Sequence, residues 1–143
     1  MTYFKSKYFH PVLHKNITDK LLLFANTSID VSDGLISDLE KMINKQKLSY
    51  KLYLEKIPIS KNLKKLVNLN IIDKTSAISS GDDYQILFTA SPSKSRIISK
   101  TSKSLGIKIS KIGKICSRSQ KSQIIDEKNK KINIKNKGYF HKF

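Results

Sequence analysis

Ser28-Ile-Asp-Val-Ser-Asp-Gly-Leu-Ile-Ser-Asp-Leu39 decides how this chain is read. Ile29 and Val31 alternate with polar neighbours, as a half-buried strand requires, and Asp33-Gly34 then breaks the alternation. Beyond the break, Leu35, Leu39, Met42 and Ile43 recur at helical spacing on one face. The stretch therefore predicts a strand over 25–32, a tight turn, and a helix that fades at Asn44-Lys-Gln-Lys47. Asp30, Asp33 and Asp38, with Ser32 and Ser37, fall within nine residues of a chain otherwise dominated by lysine. Phosphates and Mg²⁺ are commonly held where a strand's carboxyl end meets a helix N-terminus.

Working outward, residues 1–24 read as an aromatic and basic lead-in followed by a short helix over 17–24. On the other side, 48–54 alternates, with Tyr50, Leu52 and Leu54 on one face, and Ile57-Pro58 closes it because proline cannot donate to a ladder. Leu63, Leu66 and Val67 predict a short helix, and 71–80 reads as a polar connection. Tyr84, Ile86 and Phe88 alternate as in a central strand. Ser91-Pro92 is a helix start, and that helix runs through Ile97, Ile98 and Thr101 to Leu105, with Gly106 just past its end. Short strands are expected around Gly113, and a hairpin over 123–134. Helices and strands interleave without an internal repeat, which places the chain in the α/β (α+β) class, one mixed β-sheet with helices packed on it.

At 143 residues the chain is one domain's worth, and 28 Lys and Arg against 11 Asp and Glu give a net charge of +17. The lysines are spread throughout, the only arginines are Arg96 and Arg118, and no aromatic-basic platform for stacked bases is present. This pattern argues against a dedicated nucleic-acid reader and for a general attraction to small phosphorylated ligands. No apolar run approaches the length of a membrane span, and the N-terminus lacks a signal-peptide core. The single cysteine, Cys116, fits a reducing cytoplasm.

Asp30 and Ser32 lie two apart on the predicted strand and so point to the same side, with Asp33 following at the turn. These are hard oxygen donors, suited to Mg²⁺ with phosphates completing its shell. The plainer reading is that Asp33 caps the helix and Asp30 pairs with a lysine. Asp38, one turn into the helix, reads as a solvated or dipole-stabilised acid. Ser80-Gly-Asp-Asp-Tyr84 sets two acids side by side, a repulsion that a cation or donor-rich ligand would relieve, although Gly-Asp also makes ordinary turns. Gly138-Tyr-Phe-His141 offers aromatic rings for a core or for stacking. His10 and His14 are separated by Pro11, which argues against a helical metal pair, and zinc spacing, nucleophile elbow and phosphate-binding loop motifs are all missing.

In series, Asp30-Val-Ser-Asp-Gly-Leu-Ile-Ser-Asp-Leu39, Leu54-Glu-Lys-Ile-Pro58, Ser80-Gly-Asp-Asp-Tyr-Gln-Ile-Leu-Phe88, Ile112-Gly-Lys-Ile115 and Gly138-Tyr-Phe-His141 carry a resemblance. The chain resembles the C-terminal half of thiamine-monophosphate kinase, in the superfamily of aminoimidazole ribonucleotide synthetase and selenophosphate synthetase. That resemblance implies a layered α/β domain and ATP-dependent phosphorylation of thiamine monophosphate to thiamine diphosphate. By the same resemblance Asp30 and Asp33 hold Mg²⁺, Ser32 touches ATP, and Asp82 and Tyr139 contact thiamine monophosphate. Transfer would be direct and in line, without a protein nucleophile. Departures from the family pattern are Ser80-Gly81-Asp82 in place of Gly-Gly-Glu, Gln85 where an acid is usual, and the ending Tyr139-Phe-His-Lys-Phe143.

The resemblance also implies that the family's N-terminal half is absent from this sequence, and with it further Mg²⁺ ligands, nucleotide contacts and the usual dimer interface. Residues 25–143 are then the C-terminal-type domain, to be completed by a separate N-terminal half or in a homodimer. A non-catalytic module for phosphorylated ligands, or a basic nucleic-acid-binding domain, would be the alternatives.

Overall fold

The apolar pattern builds two cores, and the strand over 25–31 reaches both, with Ala25 against one and Val31 in the other. In this computed structural model, which describes residues 3–44, 46–134 and 136–139, strand β1 (Ala25–Val31) enters the turn and helix α3 (Leu35–Asn44) leaves it. The helix buries Leu35, Leu39 and Ile43 of the face its spacing predicts, together with Ile36, while Met42 is half-buried against the same core. They pack against Tyr50 and Leu52 of strand β2 (Ser49–Tyr53) and Ile124 of strand β5 (Gln123–Ile125). Val31, Ile57 and Ile78 complete this first core.

The strands form two sheets where one was expected. Strand β1 pairs antiparallel with β3 (Gln85–Ala90), setting Asp30 opposite Ile86 and Val31 opposite Gln85. The other sheet has the order β4-β2-β5-β6, with β4 spanning Gly113–Cys116 and β6 spanning Lys131–Ile132. In it β2 runs antiparallel to β4 and parallel to β5, and β5 and β6 make the predicted hairpin. Strand β3 is thus one member of a two-stranded ribbon rather than a central strand.

Helices account for further differences. Residues 3–9 form helix α1 (Tyr3–Phe9), which buries no side chain, and the expected 17–24 helix is a 3₁₀ turn at Lys15–Ile17 followed by α2 (Thr18–Leu21). Ile17, Leu21 and Phe24 make the second core, with Phe88 of β3 and with Ile97 and Ile98 of a later helix. The 71–80 connection contains α5 (Lys74–Ser79), which follows α4 (Lys61–Asn68). Asp73 caps α5 by accepting the N–H groups of Thr75 and Ser76, and Ile78 anchors it in the first core. Helix α6 (Ser95–Leu105) ends as predicted, at Gly106 in the left-handed conformation.

Candidate active site

The turn at Ser32–Gly34 is fixed from inside the protein. Asp38 is 1% exposed, and its Oδ2 accepts the backbone N–H groups of both Ser32 and Asp33 at 2.9 Å. A carboxylate in a helix's first turn that reaches back to the preceding N–H groups satisfies donors the helix cannot. Its Oδ1 accepts from the Lys41 ammonium at 2.9 Å, and the same ammonium pairs with Asp33. These two carboxylates hold the Lys41 ammonium above its ordinary range, the hydrogen bond it donates to Asp33 most and that to Asp38 next. Asp38 is therefore a buried structural acid, not the solvated one its position suggested.

Two distant segments dock on this turn through their backbones. Asp82 donates its N–H to the Ser32 carbonyl at 2.9 Å, and Tyr84 donates to Val31 at 2.9 Å. Tyr139 donates to the Asp33 carbonyl at 2.8 Å, and Ser37 donates to Lys137 at 3.0 Å. The approach is closest at glycines. A Cβ on Gly81 would lie 2.2 Å from the Ser32 carbonyl oxygen, and one on Gly138 would lie 2.5 Å from that of Asp33. Gly34 (φ +119°) would meet the Ser79 carbonyl oxygen at 2.6 Å. Only residues without a side chain allow these chains to touch.

The loop carried by Gly81 is strained where the turn is not. Asp82 (φ 63°) and Tyr84 (φ 50°) are both left-handed, a cost that folds tolerate mainly at functional sites. The Tyr84 hydroxyl donates to Asp82 at 3.3 Å, and the Asp82 charge raises the Tyr84 phenol above its ordinary range. Asp83 is exposed, and partial desolvation by the surrounding loop, then the neighbouring Asp82 charge, pushes its carboxyl up.

Beside the turn lies an open cleft of about 620 Å³, lined by Thr75, Ser76, Ser79, Ser80, Gly81, Asn133, Asn136, Gly138 and Tyr139. Hydroxyls and amides dominate this lining, so the cleft suits a polar ligand. Tyr139 is among the lining residues, with 64% exposure. Phe140 and His141 of the terminal motif lie outside the described residues.

The structure thus brings Asp33, Ser32, Asp82 and Tyr139 to one turn. Asp30 stands on the last part of β1, exposed, and its side chain makes no hydrogen bond or ion pair among the described residues. As a donor set Asp30 and Asp33 fit Mg²⁺, since they offer hard oxygens and Mg²⁺ takes one or two carboxylates plus substrate phosphates. They do not make a cage alone, because no group of three or more His, Cys, Asp or Glu gathers among the described residues.

The chain has relatives of known name. A thiamine-monophosphate kinase from Buchnera aphidicola subsp. Schizaphis graminum is 34% identical over 140 residues, 97% of this chain and 42% of that protein. The crystal structure of thiamine-monophosphate kinase from Stenotrophomonas maltophilia K279a superposes with a TM-score of 0.75 at 24% identity, over 86% of this chain and 38% of that one. The chain is a homologue of thiamine-monophosphate kinase over that family's C-terminal part. A solved structure described as AaThiL complexed with AMPPCP and TMP superposes with a TM-score of 0.71 at 22% identity, over 95% of this chain and 40% of that one. The chain spans about 42% of the length of the Buchnera relative it matches. No protein-family model matches it.

Against thiamine-monophosphate kinase, the fold class read from the sequence stands, the kinases' synthetase-like fold being the one found. Sequence reasoning missed Lys41 and the structural role of Asp38. The only signal for the pair was their spacing of three along a helix. No helix among the described residues is long and apolar enough to cross a membrane.

Proposed function

We propose that this chain is the C-terminal part of a thiamine-monophosphate kinase that uses ATP and Mg²⁺ to make thiamine diphosphate. A separate N-terminal half, or a homodimer, supplies the remainder of the site, and residues 25–143 act as the C-terminal domain. In this reading Asp30 and Asp33 hold Mg²⁺ at the carboxyl end of β1, and Ser32 between them meets ATP. Asp82 presents a negative charge to the cationic ring system of thiamine monophosphate, and Tyr139 offers its ring at the mouth of the polar cleft. When bound, Mg²⁺ neutralises phosphate charge and lets two anionic substrates approach. The chain's own part is positioning, with acceptor-binding and metal-binding residues fixed to one backbone turn. The excess of lysine draws both anions toward it.

One observation carries the reading. Asp82 and Tyr139, far apart in sequence, donate their backbone N–H groups to Ser32 and Asp33, so all the implied site residues but Asp30 meet there directly. The test is transfer of the γ-phosphoryl of ATP to thiamine monophosphate with Mg²⁺, using the chain alone and with a separately made N-terminal half of a family member. Product from the mixture, lost with Asp30→Asn, is the expected result. The departures from the family pattern at Asp82 and Gln85 favour one other reading, a binding module without chemistry. Calorimetric binding of thiamine monophosphate with no product from the mixture would select it, and no binding at all would contradict both.

A further inference from the structure

We propose that Lys41 is an internal counter-ion that competes with a divalent cation for Asp33, so that metal enters the turn only as this ammonium leaves it. The inference rests on the reading of Asp33 as a metal ligand. Lys41 lies on α3, two turns beyond Asp33, and its Nζ bridges Asp33 and Asp38. The two acids differ in freedom. Asp38 is buried, and its second oxygen is already committed to the N–H groups of Ser32 and Asp33, so it stays put. The Asp33 side chain keeps 18% exposure, while that of Lys41 keeps 49%.

Mg²⁺ requires oxygens in near-octahedral array and carries twice the charge of the ammonium. Two cations on one carboxylate, a few ångströms apart, repel each other. Metal arriving at Asp33 therefore displaces Lys41 onto Asp38, where an ion pair at 2.9 Å is already formed. Lys41 in this account is a positioning residue that sets how tightly metal is held.

The test uses Mn²⁺ as the probe, titrated into the full chain and followed by the electron-spin signal of the free ion, with thermal unfolding of each variant alongside. Lys41→Met should bind Mn²⁺ roughly two- to five-fold more tightly, the gain expected from removing a competing exposed ion pair. Lys41→Arg, which keeps the charge, should return affinity to that of the native chain. Lys41→Gln reads the same effect if Lys41→Met does not fold. A purely structural role predicts the opposite, a lower unfolding temperature with affinity unchanged or weaker, and that result overturns the proposal. Asp30→Asn and Asp33→Asn separate the two layers. If they weaken Mn²⁺ binding while Lys41→Met leaves it unchanged, the competition alone is wrong. If they leave it unchanged, or if the native chain and Lys41→Met both bind no Mn²⁺, the metal reading falls and the competition with it.

Discussion

The Ser32–Asp38 turn and the Gly81–Tyr84 loop are both acidic and both hinge on glycine, yet they are held in opposite ways. The turn is built from within. Its N–H groups end on a buried carboxylate, and the helix that follows contributes four apolar side chains to the core. The loop has little hold of its own. It is exposed, carries left-handed Asp82 and Tyr84, and is fastened to the turn by their backbone N–H groups. One region is the scaffold, and the other is strained into place upon it. Asp82, on the strained member, can be altered without unfolding the protein, whereas Asp38, which holds the scaffold from within, cannot.

The largest break in that comparison should come from Asp38→Ala. It strands two N–H groups and takes one of its two carboxylate partners from the Lys41 ammonium, and should cost about 3 kcal/mol in urea unfolding. Gly81→Ala forces a methyl group against the Ser32 carbonyl and should cost about 2 kcal/mol by the same measurement, the loop separating from the turn while α3 stays folded. Asp82→Gly works in the other direction. It relieves a left-handed residue, so unfolding stability should rise by about 1 kcal/mol while affinity for thiamine monophosphate falls.

The smallest effect belongs to Asp83, and its sign is set by pH. Its carboxyl is raised in the folded chain, so the native state binds that proton more tightly than the unfolded one. Asp83 then favours folding below the ordinary carboxylate range and opposes it as pH rises through its elevated value. Asp83→Asn should exceed the native chain in stability at neutral pH, and the advantage should shrink on acidification through that window. An advantage that grows on acidification would contradict the desolvation account.

Local chemistry was legible in the sequence, and partnership was not. The β1-turn-α3 unit, β2, the α6 stop at Gly106 and the 123–134 hairpin follow from short-range periodicity and turn residues, and all are present. The pairing of β1 with β3 alone is a long-range choice that alternation does not encode, so two sheets were read as one. Helix α5 spans six residues, too few for a helical period to emerge, and its clearest mark is Asp73 two and three residues ahead of the N–H groups it caps. Of the two readings for Asp38, solvated or dipole-stabilised, the solvated one fails because the turn curls back over it and supplies the donors that make its burial tolerable. The site motifs could be picked out singly, but their meeting depends on glycine contacts between residues some fifty and one hundred positions apart.

The central claim is that these motifs make one binding site. Calorimetric titration of thiamine monophosphate into the native chain, Asp82→Asn and Tyr139→Ala tests it most directly. The account predicts saturable binding to the native chain, weakened by each substitution without loss of folding stability. Saturable binding with equal affinity in all three proteins, or none to the native chain, would contradict it.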